Sequence, residues 1–161
     1  MNIFRFCTLI VLTALSAQAF ADGEDALALE KKLSAEYLAK MAAEPGAQVI
    51  EQGVVLRPIS ESGSQTYPQV SDSVRVSYFL TDREGKTIEE SITSDELVEF
   101  PLARLIKCWQ VAFPKISVNS FYKISCPSDT AYGDHGAGDT IKPGAALTFR
   151  VTLYGVVPAK P

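Results

Sequence analysis

Apolar and polar positions change rhythm once along the chain. In residues 24–44, "EDALALEKKLSAEYLAKMAAE", strong helix formers dominate, and Leu29, Leu33, Tyr37 and Met41 recur at a spacing of four. That spacing predicts one helix with a narrow apolar stripe, stopped by Pro45-Gly46. The stripe suits either the helix's own domain or a second copy of the chain. After Pro45 the period falls to two. "GVVLRPI" predicts a short strand, and the polar "ESGSQTYPQVSD" a loop. "SVRVSYFL" sets Val74, Val76, Tyr78 and Leu80 on one face, with Arg75 and Ser77 on the other. "TDREGKT" reads as a hairpin turn around Gly85. "ARLIKCWQVAF" has room for a short helix, with Leu105, Ile106, Trp109, Val111 and Phe113 apolar. "SFYKISC" aligns Tyr122, Ile124 and Cys126, and "ALTFRVTLYGV" aligns Leu147, Phe149, Val151 and Leu153. The sum is an α+β domain of about a hundred residues. An antiparallel, twisted β-sheet wraps a short α-helix, preceded by one N-terminal helix.

The first residues follow neither rhythm. "MNIFRFCTLIVLTALSAQAFA" has one early cation, Arg5, a short apolar run, and small residues alternating at Ala17, Ala19 and Ala21. That is the layout of a cleaved secretory signal, and the run is too short for an ordinary spanning helix. The chain then divides into a signal peptide at 1–21, a helix and linker at 22–46, and a folded domain at 47–161. Cleavage after Ala21 leaves a mature chain opening "DGEDA"; cleavage after Ala19, or retention as an anchor, are the alternatives. Export of a soluble acidic chain with a short signal implies the periplasm, with no hold on the membrane once the signal is gone.

Charge and cysteines narrow the classes further. The formal net charge is −4, and losing Arg5 with the signal makes the mature chain −5. An acidic chain without a basic stripe is a poor partner for nucleic acid or anionic membrane. Two cysteines remain after cleavage, Cys108 and Cys126, in an oxidising compartment. A disulfide and two buried free thiols both fit.

The stretch "YGDHGAGDT" poses the functional question. It lacks the lysine of a phosphate-binding loop, does not join a strand to a helix, and carries two aspartates that would repel phosphate. His135 is the only histidine, with no second ligand at metal-binding spacing. No serine sits in a Gly-x-Ser-x-Gly elbow. Glu89-Glu90 would point to opposite faces of a strand, as a solvated edge. What remains is aromatic: Trp109, Tyr78, Phe149 and Tyr132. Taken singly each suits a core. Together with the glycine loop they could line a concave apolar pocket.

From about Gly53 to Val156 the order of the pieces resembles the FKBP-type peptidyl-prolyl isomerases. "VRVSYFLTDREGKTIEES" resembles the family's valine-x-valine-x-tyrosine strand, hairpin glycine and acidic segment. "FPLARLIKCW" is similar to its segment ending in tryptophan, and "SDTAYGDHGAGDTIKPGAALTFRVTLYGV" to its closing loop and strand. The resemblance implies a flap over an apolar prolyl pocket. Trp109 would be the floor, and the Ile106 N–H and Tyr132 hydroxyl would bond substrate carbonyls, with Glu89 beside them as the fourth catalytic position. Tyr78, Val98, Phe100, Leu105, Ile141 and Phe149 would complete the walls. It implies no cofactor and no metal, and as partners unfolded or proline-containing polypeptides. It also sets Cys108 beside the pocket floor and Cys126 on a core strand. The upstream "AEYLAKMAAEPGAQVIEQGVVLRPI" is similar to the linker helix of secreted macrophage-infectivity-potentiator-like members, which dimerise through a longer helical region. Residues 24–44 would carry any homodimer here.

This sequence departs from the family pattern at several points. Glu89 replaces an aspartate, Ile88 an aromatic, Leu80 a glycine, and Lys107-Cys108 a proline-glycine pair before Trp109. The departures at Glu89 and Ile88 would reshape one wall, which implies weak to moderate isomerase activity. The alternative is a non-catalytic binding module or chaperone that grips unfolded chains with the same pocket and the N-terminal helix.

Overall fold

The computed structural model describes residues 11–91 and 97–160, and of residues 11–22 only the backbone. The first ten residues of the signal-peptide reading, 1–21, thus lie outside the described residues. Helix α1, Val11–Ala42, is longer than the predicted 24–44 and runs unbroken across residues 21 and 22. It ends where expected: the chain turns through Pro45 and reverses at Gly46, whose φ of +79° is left-handed.

Seven strands follow: β1 Gln48–Val49, β2 Val55–Ser60, β3 Ser73–Asp82, β4 Thr87–Glu90, β5 Val98–Pro101, β6 Ser120–Cys126 and β7 Leu147–Val157. They form one antiparallel sheet in the order β1-β2-β6-β7-β3-β4, with β5 also pairing β3. Helix α2, Lys107–Ala112, is the short helix predicted from "ARLIKCWQVAF". It lies on the face to which the period-two positions point. Val74, Val76, Tyr78 and Leu80 of β3, Tyr122 and Ile124 of β6, and Leu147, Phe149, Val151 and Leu153 of β7 are all buried there with Cys108, Trp109 and Phe113. Alternation along each strand places its apolar half on this concave side. Cys108 of α2 and Cys126 of β6 are joined by a disulfide, and both are fully buried.

Helix α1 covers one corner of the opposite face. Of the predicted stripe, Leu33, Tyr37 and Met41 are half-buried, and the correction falls on Leu29. Leu29 is 57% exposed, and the positions turned to the sheet include Glu30, Ser34 and Tyr37. Tyr37 belongs to the predicted stripe; Glu30 and Ser34 do not, because their partners are polar and a hydrophobic pattern does not mark them. Arg83 donates to both carboxylate oxygens of Glu30 at 2.8 and 3.1 Å. The Tyr37 hydroxyl lies 2.7 Å from Thr148 Oγ1, which in turn lies 2.9 Å from Ser125 Oγ. Residues 22–46 and 47–161, separated in the sequence reading, share this seam.

Candidate active site under the glycine-rich loop

Four aromatic rings converge where β3, β7, β5 and α2 meet. Trp109 is the centre. Its ring centroid lies 5.4 Å from Tyr78, 5.2 Å from Phe149 and 6.5 Å from Phe100, each near-perpendicular. Edge-to-face packing of this kind is favoured by the ring quadrupoles. Phe113 backs the indole at 4.8 Å. Trp109 is 4% exposed, and its Nε1 has no hydrogen-bond partner among the described residues.

Above Trp109 is a cavity of about 140 Å³, lined by Tyr78, Glu89, Phe100, Leu105, Ile106, Trp109, Tyr132 and Phe149. That is well below the roughly 300 Å³ of the smallest drug-sized pockets, a space on the scale of one side chain. Leu105 and Ile106 reach it from the turn between β5 and α2. The Gln110 side chain holds that turn, donating to the carbonyls of Leu105 at 2.8 Å and Ala103 at 3.2 Å. The Ile106 carbonyl accepts the Trp109 N–H at 3.0 Å, whereas no backbone acceptor takes the Ile106 N–H among the described residues.

Glu89 reaches the cavity through register. Leu80 pairs with Glu89 and Thr81 with Thr87, which leaves Ile88 as a bulge. Residues directly opposite each other share a face, so Glu89 follows Leu80 to the concave side and Glu90 follows Phe79 to the convex one. The solvated-edge reading of Glu89-Glu90 is thereby corrected for Glu89. The Tyr78 hydroxyl donates to its Oε1 at 2.5 Å. Burial, then this hydrogen bond and the carboxylate's charge, push the Tyr78 hydroxyl pKa up. Tyr132, at the mouth and 37% exposed, is also pushed up, by burial first and by the charge of Glu89 second. Both tyrosines therefore stay protonated and able to donate at neutral pH.

Two predicted wall residues are not brought to this cavity. Val98 pairs with Val76 in the sheet. Ile141 bridges Ala137 at the base of the glycine-rich loop and, with Ile88, lines a separate water-sized space. Of the two departures at 88 and 89, Glu89 lines this cavity, whereas Ile88 stands at the bulge and lines the separate space. Gln110 was missed altogether, because a half-exposed amide in a helix carries no distinguishing pattern.

The sequence of residues 64–154, more than half of the chain, matches the family model described as FKBP-type peptidyl-prolyl cis-trans isomerase. The chain is 34% identical over 133 residues to the FKBP-type peptidyl-prolyl cis-trans isomerase FkpA of Aeromonas hydrophila, an alignment covering 83% of this chain and 48% of that one. It is 29% identical over 123 residues to the peptidyl-prolyl cis-trans isomerase Mip of Coxiella burnetii, covering 76% and 53%. The crystal structure of FkpA from Escherichia coli superposes with a TM-score of 0.82 at 30% identity, over 93% of this chain and 71% of that one. The chain spans about half the length of the curated relatives it matches.

Proposed function

The chain belongs to the FKBP-type peptidyl-prolyl cis-trans isomerases, and on that footing we propose that it speeds rotation about the peptide bond before proline in exported, incompletely folded polypeptides. The observation that carries this reading is the cavity floored by Trp109: room for one ring, apolar walls, and two donors at its mouth. Isomerisation must cross a barrier of roughly 18–20 kcal/mol set by amide conjugation. The twisted transition state has lost that conjugation and separates less charge than the planar amide. An apolar, water-poor cavity therefore favours it over the ground state, provided the flanking carbonyls are held in the twisted geometry. The Ile106 N–H and the Tyr132 hydroxyl would hold them. Trp109 would seat the proline ring and exclude water. Glu89 orients the Tyr78 hydroxyl and lends the rim one negative charge.

The leader pattern at residues 1–21 and the Cys108–Cys126 bridge support the periplasm as the working compartment. Proline-containing unfolded chains are the partners this cavity suits. Pairing of copies through residues 24–44 would have to use the outward face of α1, where Leu29 stands exposed, because the inward face is occupied by the chain's own domain.

The deciding measurement is the cis-to-trans rate of a short reporter peptide with one prolyl bond, with the chain from Asp22 added in increasing amounts. The rate rises with protein. Tyr132→Phe lowers kcat/KM by about fivefold, the worth of one hydrogen bond. Trp109→Leu lowers it by about tenfold or more, as the ring seat and its perpendicular contacts are lost. A flat rate from a folded sample would sink the isomerase reading and leave the cavity as a binding module for unfolded chains.

A further inference from the structure

The glycine-rich loop is held from outside by the N-terminal helix. Ser34 of α1 is 4% exposed. Its Oγ donates to the Gly144 carbonyl at 3.1 Å and accepts the Ala146 N–H at 2.8 Å. The Gly144 N–H donates to the Gly133 carbonyl at 2.9 Å and so ties the two ends of the loop together, next to Tyr132. One turn earlier on the same helix face, Lys31 donates to Asp134 at 2.7 Å, at the loop's other end. Leu27, a further turn back, covers Gly144 so closely that a Cβ there would lie 2.9 Å from its Cδ1. Leu27, Lys31 and Ser34 thus form a clamp on both ends of residues 133–146. The span between those ends has left-handed backbone at Gly136 and Gly138 and is tied within itself by the Ala137–Ile141 pair, at 2.9 and 3.1 Å, so the helix is its outside hold.

We propose that Ser34 is a positioning residue for the isomerase site: through Gly144 and Gly133 it sets where the Tyr132 hydroxyl stands over the cavity. The inference rests on the isomerase reading. A small displacement of a hydroxyl meant to meet a substrate carbonyl is costly, because the effect depends on near-exact orientation. Nothing in the resemblance assigns a role to this serine, and it does not touch the cavity.

The test compares the chain from Asp22 with Ser34→Ala, Lys31→Met, Tyr132→Phe and the double variant Ser34→Ala/Tyr132→Phe. The readouts are kcat/KM on the reporter peptide and amide hydrogen exchange over residues 133–146. Ser34→Ala is expected to lower kcat/KM by about fivefold, as one hydrogen-bonded hold on the loop is lost. Lys31→Met is expected to act in the same direction and less, since its ion pair is exposed. Exchange in the loop quickens in both. The double variant is expected to be no slower than Tyr132→Phe alone, because Ser34 acts through that hydroxyl. A merely structural role would slow both backgrounds equally, and that result, or wild-type rates in both single variants, overturns the proposal while the isomerase reading stands. Should Ser34→Ala fail to fold, the surface variant Lys31→Met decides. A wild type that leaves the peptide rate flat overturns the isomerase reading; loop exchange then judges the clamp by itself, and unchanged exchange in Ser34→Ala overturns it.

Discussion

Glu89 shows what one residue's surroundings can add to its identity. As half of a Glu-Glu pair it reads as solvated edge. A single bulge at Ile88 decides which of the two carboxylates shares a wall with Tyr78. Bulges depend on pairing between strands, so no local pattern announced this one, whereas the ring cluster around Trp109 was legible from alternation on β3 and β7. The tyrosines make a pH prediction. Tyr78 and Tyr122 both donate at 2.5 Å to carboxylates, Glu89 and Glu61, and both pKa values are raised above the ordinary 10.0, by burial first and then by these partners. The unfolded chain then releases these protons at a lower pH than the folded one. Their stabilisation is fully present below pH 10 and is lost as pH rises through the folded values. The melting temperature should be flat across neutral pH and fall steeply above about pH 10, the ordinary tyrosine value. Tyr122→Phe should flatten that alkaline fall. An unchanged slope in the variant would mean that other groups carry it.

At the level of elements, the strands were the readable part and the helix seam was readable only in part. Each strand's buried positions follow a period of two set by the pleat. Helix α1 contacts the sheet through Glu30, Ser34 and Tyr37, whose satisfaction comes from Arg83, Gly144 and Thr148, more than fifty residues away. The hydrophobic stripe marks Tyr37 but cannot report the contacts of Glu30 and Ser34. The disulfide lies between these cases: the residues were named, but only packing brings α2 onto the end of β6. It closes a separation of 18 residues, and in the chain-entropy account a loop of that size is worth about 3 kcal/mol. Replacing both cysteines by alanine should lower unfolding stability by about that amount, measured by denaturant titration. Activity should fall as well, because Cys108 precedes Trp109 in the helix. No change in stability or activity would count against the bridge in solution.

Across the whole molecule the governing fact is the place of β7. It is hydrogen-bonded on both sides, pairing β3 from Asp82 to Ser73 and β6 from Cys126 to Ser120. It also supplies Phe149 to the cavity and Thr148 to the α1 seam. Ending the chain at Ala146 should therefore abolish the cooperative melting transition rather than weaken it, since β6 and β3 would be left as unjoined edges. A residual sharp transition by circular dichroism would show that the two halves fold alone. The family's overall pattern made this architecture legible from sequence, because the last strand's alternation is among its clearest stretches.

The same placement imposes an order in time. A chain emerging from a ribosome or a translocation channel delivers its amino end first, yet the strand that joins the two halves of this sheet is the last of the seven to appear. Until it does, β3 and β6 cannot share a sheet, and the cavity lacks its Phe149 wall. The cavity is therefore gained in one late step, after the rest of the chain has already been delivered.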